Sequence, residues 1–538
     1  MKAKLFLADE AIAQGALDAG ITGAYAYPGT PSTEILEYIQ KAPESAARSI
    51  HREWSSNEKT AMEEALGVAY AGRRALVCMK HVGLNVAADP FVNSAVTGVV
   101  GGMVVVVADD PSMHSSQNEQ DSRFYAKFAG VPLFEPSNQQ EAYTVTRDAF
   151  ALSEAVGLPV VIRLSTRLAH SRANVVTAPP REPNALRLPT DNRQFVLLPA
   201  NARRNYEGLL DKQAMLLGRA ENDGRNQFIE GTDNSVGIIA CGIAFNYLNE
   251  AYGGQPCPHP VLKLVQYPVP ETMIRALASR AKTLLLLEEG APFVEDMLRG
   301  VLPTGITIKG RRDGSLPRAG ELSPESVARA VGRPTRLAHA VPAVVKPRPP
   351  VMCPGCPHID SYLFLKDVMQ AHPGGRVFSD IGCYTLGALP PLEAISSCVD
   401  MGASITMAKG AADAGVRPAV AVIGDSTFTH SGLTGLLDCV FENAPVTILV
   451  LDNGTTGMTG GQSSMGTGRV EAIAAGLGVK PEHIRVIVPL KKNHAENAAV
   501  LREEIAYEGV SVIIARRECL LAVQSIRGWE KANAESCN

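Results

Sequence analysis

Aromatic residues are scarce, at 5% of the 538-residue sequence with two tryptophans. Single-stranded nucleic acid is gripped by stacking on aromatic side chains, so this scarcity argues against such a platform. A surplus of positive charge is also missing: 51 Lys and Arg against 55 Asp and Glu give a net charge of −4. Nucleic-acid binders show a basic patch or stripe, which this balance does not support. No apolar run approaches the ~18 residues that span a bilayer. The longest, Val99–Ala108, contains two glycines. At the N-terminus, Leu5-Phe6-Leu7-Ala8 gives way to Asp9 and Glu10, too short an apolar core for a secretory signal. The sequence therefore reads as a cytosolic protein with neither membrane nor nucleic acid as partner. Its ten cysteines read as thiols or metal ligands and not as disulfides.

What is present is a folded α/β composition, 46% apolar and 20% charged. The length suits roughly three or four domains. Residues 1–190 alternate buried strands (Thr22–Tyr27, Arg74–Met79, Met103–Ala108, Pro159–Arg163) with helices (Ala8–Ala19, Asn57–Ala71, Asn138–Ala155). That alternation predicts a parallel sheet covered by helices on both faces. Residues 191–335 open with a polar stretch, Asn201 to Asn234, then supply strands at Val236–Cys241, Val261–Val265 and Thr283–Leu287, a smaller α/β domain. Residues 336–350 form a Pro-rich linker. Residues 351–538 alternate again, with strands at Val377–Ile381, Ala419–Ile423, Thr447–Leu451 and Ser511–Ala515.

Four motifs carry chemistry. The strand Ala421-Val422-Ile423 runs into Gly424-Asp425-Ser426, and the next, Leu449-Val450-Leu451, into Asp452-Asn453-Gly454-Thr455. Polar residues at the carboxyl ends of two parallel strands converge on one site. Asp425 and the Asn453 amide oxygen are hard donors suited to Mg²⁺ and a diphosphate; the competing reading is a strand-end turn with Asp as helix cap. The second motif is Cys353-Pro-Gly-Cys356, with Cys383 in Asp380-Ile381-Gly382-Cys383 and Cys519 after the last strand. Four such thiolates suit a [4Fe–4S] cluster, a structural zinc or, for the pair alone, a redox dithiol. The third is Ser55-Ser56-Asn57-Glu58, either a capping box through Ser55 and Glu58 or a carboxylate facing a cofactor ring. The fourth is a polar set after strands: Tyr27–Ser32 with Thr30, Lys80–Asn85, and His114–Arg123.

Taken together these segments resemble the 2-oxoacid:ferredoxin oxidoreductases, on the side of the large subunits of the indolepyruvate branch, over nearly the whole sequence. The resemblance implies two thiamine-diphosphate-binding parallel-sheet domains, a pyrimidine type at 1–190 and a diphosphate type at 351–538. They flank a smaller, transketolase-C-like α/β domain. It implies that Glu58 activates the pyrimidine ring of thiamine diphosphate, and that Asp425, Asn453 and the Thr455 carbonyl hold Mg²⁺. Gly424, Ser426, Gly382 and Cys383 would line the cofactor. Cys353, Cys356, Cys383 and Cys519 would hold one [4Fe–4S] cluster, and Thr30 and Arg123 the oxo acid. The implied reaction is oxidative decarboxylation of an aryl 2-oxo acid, such as indolepyruvate or phenylpyruvate, with coenzyme A as acyl acceptor. The implied partners are a small subunit, a ferredoxin or an iron–sulfur or flavin subunit, and a second copy in a homodimeric core.

Three departures stand out. After Cys519 only Cys537 remains, where long members carry a ferredoxin-like segment. Ser426 stands where the general thiamine motif has Gly, and Gly461 where His is expected. Two rival readings are a non-oxidative thiamine decarboxylase or carboligase, which would not need the four cysteines, and a non-catalytic scaffold stapled by zinc.

Overall fold

The computed structural model describes residues 3–188, 191–335, 340–346 and 349–523, so part of the expected linker and Cys537 lie outside the described residues. The chain forms two compact units, dividing after Ala340. No described helix is long and apolar enough to cross a membrane.

The first unit is built on a six-stranded sheet in the order Gln266–Tyr267, Leu133–Phe134, Val160–Ser165, Met103–Asp109, Ala75–Lys80, Gly23–Ala26. Every neighbouring pair is parallel except the outermost, where Gln266–Tyr267 runs against Leu133–Phe134. The last four strands of this order are buried along their full length. Unbroken apolar runs such as Val104–Val107 are what a parallel sheet covered on both faces requires. The helices Ala8–Asp18, Glu58–Tyr70 and Gln139–Val156 fall where the sequence pattern places them. A second sheet, ordered Thr307–Lys309, Thr283–Leu287, Gly237–Cys241, Val261–Leu264, Gln227–Ile229, completes this unit.

Two elements depart from the sequence reading. Ala3–Leu7 pairs antiparallel with Arg172–Val176, so the N-terminal apolar patch is one half of a two-stranded ribbon. The polar stretch after Asn201 belongs to a 24-residue helix, Pro199–Asn222, which buries only Leu209, Leu216 and Ala220. So narrow an apolar seam leaves most of the helix wet, which is why its composition reads as polar loop.

The second unit is built on a six-stranded all-parallel sheet, ordered Ser397–Cys398, Arg376–Ser379, Ala419–Gly424, Val446–Asp452, Ser511–Arg516, Ile484–Ile487, with a small antiparallel pair, Thr455–Thr456 and Gln462–Ser463, beside it. Gly424 sits opposite Leu451 and Asp452 opposite Arg516, so the carboxyl ends of these neighbours lie side by side.

Candidate active site

In the second unit, four adjacent strands end at the same edge, each followed by residues of the sequence motifs. Arg376–Ser379 leads to Asp380–Cys383, Ala419–Gly424 to Asp425, Val446–Asp452 to Asn453, and Ser511–Arg516 to Cys519. A parallel sheet makes its ligand site at this edge. Asp425 opens a helix that runs as α over Asp425–Thr427, widens to a π-turn over Phe428–Gly432, and continues over Leu433–Glu442. Such π-turns are frequent at functional sites.

Asp425 is buried, and among the described residues its Oδ2 has no hydrogen-bond partner. Burial, reinforced by the neighbouring Asp452, pushes its carboxyl up to about 7. A buried carboxylate oxygen without a donor is costly, and a cation relieves that cost. Asn453 presents its Oδ1 to the Thr455 N–H at 3.2 Å. Its amide nitrogen faces Nε2 of His358, an imidazole that burial holds at about 4 and therefore neutral. These oxygens fit a hard cation with an attached diphosphate. Ser426 accepts a hydrogen bond from Thr456 at 2.9 Å, tying the two strand ends together. Gly382 and Gly424 have no room for a side chain: a Cβ would meet the Tyr384 ring at 2.4 and 2.7 Å.

The cysteines gather at the same edge. A Cβ on Gly457 would stand 3.4 Å from Cys383 Sγ, 3.9 Å from Cys519 Sγ and 3.8 Å from Asn453 Nδ2. The Cys519 N–H donates to the Asn453 carbonyl at 3.0 Å. Arg517 bonds Asp360 at 2.9 Å and the Gly355 carbonyl at 3.4 Å, which anchors the Cys353–Cys356 turn beside Cys519. Burial, then the charges of Cys356, Cys519 and Cys353, push the Cys383 thiol up to about 11. Burial and the same kind of mutual repulsion raise Cys356. Among the described residues no three of these sulfurs lie within 4.8 Å of one another. One tetrahedral zinc would draw them to about 3.8 Å. A cluster that gives each thiolate its own iron spreads them farther.

In the first unit, Glu58 is buried and begins its helix. The cap is not Ser55: the Asn57 side chain accepts from the Thr60 N–H at 2.9 Å, and Ser55 donates to Glu64 at 2.7 Å. The capping box expected through Ser55 and Glu58 is therefore corrected to one through Asn57 and Thr60. Asn57 wins because its short amide reaches the N–H three residues on. Glu58 packs against Gly83, where a Cβ would stand 2.6 Å from its Cγ and Oε1. The three polar loops meet at the sheet's carboxyl edge. Ser115 donates to the Thr30 carbonyl at 3.3 Å, Lys80 Nζ donates to the Ser115 carbonyl at 2.8 Å, and His81 Nε2 lies 3.2 Å from Asn118 Oδ1.

Arg123 is a correction. Its side chain is 1% exposed and its donors are consumed. It pairs with Asp121 at 2.5 Å and Glu288 at 2.9 Å, and donates to the carbonyls of Glu289 and Ala291. Burial opposes ionisation of Asp121, but Arg123 and Arg163 prevail and hold it near about 2. A guanidinium so occupied cannot clamp an incoming carboxylate. A second cation on these loops is Lys80, buried and bonded to the Ser115 carbonyl, which burial lowers to about 8 against the pull of Asp110. Sequence reasoning placed Lys80 in the polar set without giving it a role of its own, and gave none to His358. Their signal is a charged residue ending an otherwise unbroken apolar strand, and an imidazole just after the Cys353–Cys356 turn.

Residues 14–202 match the family described as pyruvate flavodoxin/ferredoxin oxidoreductase, thiamine diphosphate-binding. Residues 380–515 match the C-terminal thiamine-pyrophosphate-binding domain of thiamine pyrophosphate enzymes. The chain is 40% identical to indolepyruvate oxidoreductase subunit IorA of Archaeoglobus fulgidus, over 96% of this chain and 87% of that protein. It is 38% identical to the IorA subunit of Methanothermobacter thermautotrophicus, over 99% and 90%. Among solved structures it is similar in fold to 2-oxoglutarate:ferredoxin oxidoreductase of Magnetococcus marinus. That likeness has a TM-score of 0.50 and 16% identity, over 61% of this chain and 65% of that one. Fold and sequence thus define a thiamine-diphosphate-dependent oxidoreductase of 2-oxo acids. Within that class, the chain belongs to the indolepyruvate oxidoreductase IorA family of the 2-oxoacid:ferredoxin oxidoreductases.

Proposed function

We propose that this chain carries the centre at which an aryl 2-oxo acid, of the indolepyruvate or phenylpyruvate kind, is oxidatively decarboxylated to acyl-coenzyme A and CO₂. Asp425, Asn453 and the Thr455 carbonyl would hold Mg²⁺ together with the diphosphate of the cofactor. When bound, thiamine diphosphate supplies the electron sink for the carbon that loses CO₂. Glu58 holds a proton at the cofactor's pyrimidine nitrogen, general acid–base work for which a buried carboxylate is suited. Thr30 orients the keto group, and Lys80 supplies the charge that pairs with the substrate carboxylate, in place of Arg123. Cys353, Cys356, Cys383 and Cys519 hold a [4Fe–4S] cluster, which supplies a one-electron acceptor. A ferredoxin or an iron–sulfur or flavin subunit would be the partner that accepts the electrons. A small subunit and a second copy of this chain complete the enzyme. Residues 1–190, 191–335 and 351–538 are its pyrimidine, intermediate and diphosphate domains.

The observation that carries this reading is the gathering of four thiols and the Asp425–Asn453 oxygens at one sheet edge. A non-oxidative decarboxylase has no use for the thiols. The test is iron and acid-labile sulfide analysis of anaerobically purified protein, with coenzyme A-dependent oxidation of aryl and alkyl 2-oxo acids. Four irons and four sulfides per chain are expected, falling in Cys519→Ala together with acceptor reduction. Zinc without iron, or aldehyde release without acceptor reduction, would refute the proposal.

A further inference from the structure

The first unit carries a constellation that the reaction does not use. Asp9 stands in the first turn of the helix Ala8–Asp18 and is 0% exposed, yet among the described residues neither of its carboxylate oxygens has a hydrogen-bond partner. The positive end of a helix favours an anion, but no N–H of this one reaches Asp9. Glu34 stands in the first turn of Thr33–Lys41, and its Oε2 likewise has no hydrogen-bond partner among the described residues. Its Oε1 lies 3.4 Å from Nε2 of His170, the residue that ends the short helix Thr166–Ala169. One ligand atom from each of the three residues lies within 4.8 Å of the others. Burying a carboxylate without a donor is expensive, so such a group either keeps a proton or faces a cation.

We propose that Asp9, Glu34 and His170 form a divalent metal site of the Zn²⁺ class, with its fourth position open to water. Two carboxylates and a neutral imidazole cancel the charge of a dication, which suits a partly buried site. A mixed oxygen and imidazole set selects zinc-like ions over Mg²⁺ or Ca²⁺. Two ligands on one tetrahedral Zn²⁺, each about 2.0–2.2 Å away, stand roughly 3.3–3.6 Å apart, which matches the Glu34–His170 separation. Entry is open, because the Glu34 and His170 side chains are 37% and 35% exposed while Asp9 forms the buried floor. The ion would pin three segments together: the first long helix, the end of the Val160–Ser165 strand connection, and the helix that follows the loop carrying Thr30. This site stands on its own geometry and not on the function proposed above.

Cobalt(II) reports such a site by its visible d–d bands, and a site without sulfur adds no thiolate charge-transfer band. The full chain is stripped with EDTA and titrated with CoCl₂, and the spectrum of His170→Ala is subtracted to remove any contribution from the cysteines. The wild type is expected to bind one Co²⁺ with tetrahedral d–d bands in that difference spectrum. His170→Ala, a partly exposed change unlike one at Asp9, should weaken this binding at least about 100-fold, beyond the 10–100-fold typical of losing an outer partner. Glu34→Gln should weaken it comparably, while Asp425→Ala should leave the bands in place. No difference bands, as expected if Asp9 simply keeps its proton against Glu34, would overturn the proposal. So would bands that persist in Glu34→Gln.

Discussion

Asp425→Asn separates stability from function at one buried carboxyl. The Asp425 carboxyl rises from its ordinary 3.8 to about 7 because burial, and then Asp452, disfavour its charge. The folded chain therefore binds an extra proton between these values, so the stability that this carboxyl contributes is fully present below pH 4 and is lost as pH rises through 7. The loss is about 4 kcal/mol at 1.36 kcal/mol per decade, an upper figure because Asp452 shares the repulsion. Asn cannot ionise, so the cofactor-free variant should be more stable than wild type at pH 8 and no more stable at pH 4. For a unit of this size, each kcal/mol moves the melting temperature by about 2–4 °C, so the gain is at most roughly 8–16 °C. Mg²⁺ with thiamine diphosphate at 100-fold over Kd should add about 2.7 kcal/mol to wild type and nothing to the variant. Thermal scans of both proteins at pH 4 and 8, with and without Mg²⁺ and cofactor, measure all of this. A variant less stable than wild type at pH 8 would show that Asp425 is not penalised by burial, and one equally stabilised by the cofactor that it is not a metal ligand.

Glu58→Gln should keep the cofactor bound and lower turnover about 10²–10⁴-fold; near-normal turnover would return Glu58 to a helix-starting role. Lys80→Met should raise KM for the oxo acid about 10–100-fold, the worth of one charge-assisted hydrogen bond. Because Lys80 loses its proton near pH 8, wild-type KM should climb above that pH while the variant's stays flat. Arg123→Ala should cost about 3–5 kcal/mol by leaving Asp121 and Glu288 buried without their partner, read as a lowered melting temperature. A changed KM with unchanged stability would instead restore Arg123 to the substrate.

The central strands were legible because strands buried on both faces admit only unbroken apolar runs, as in Met103–Asp109 and Val446–Asp452. The strand-end motifs were legible for the same reason, since a polar residue just past such a run has few places to be other than the sheet's edge. The fate of Arg123 was not legible. Its partners Glu288 and Glu289 lie more than 160 residues away in sequence, and nothing local distinguishes a buried ion pair from a substrate clamp. The helix cap moved from Ser55 to Asn57 because both residue types cap equally well and only the backbone path decides between them. In the sequence Asp9 only ends the N-terminal apolar patch; its isolation shows once the surrounding packing is known.

The short strand Gln266–Tyr267 has a consequence for how the chain can be divided. It comes from the stretch that otherwise builds the second sheet, yet it closes the open side of the first sheet against Leu133–Phe134. Asn226 locks it there, accepting from the N–H groups of Val265 and Gln266 and donating to the Gln266 carbonyl, while the Glu135 N–H bonds the Val265 carbonyl at 2.7 Å. A fragment ending near residue 190 would bare that strand's hydrogen-bonding row, and unpaired rows of this kind recruit other chains. The apparent seam between the two sheets is thus a poor place for a protease to cut, for a fusion to be joined or for evolution to exchange modules. Any fragment that includes the first sheet is therefore expected to need the whole of the first unit.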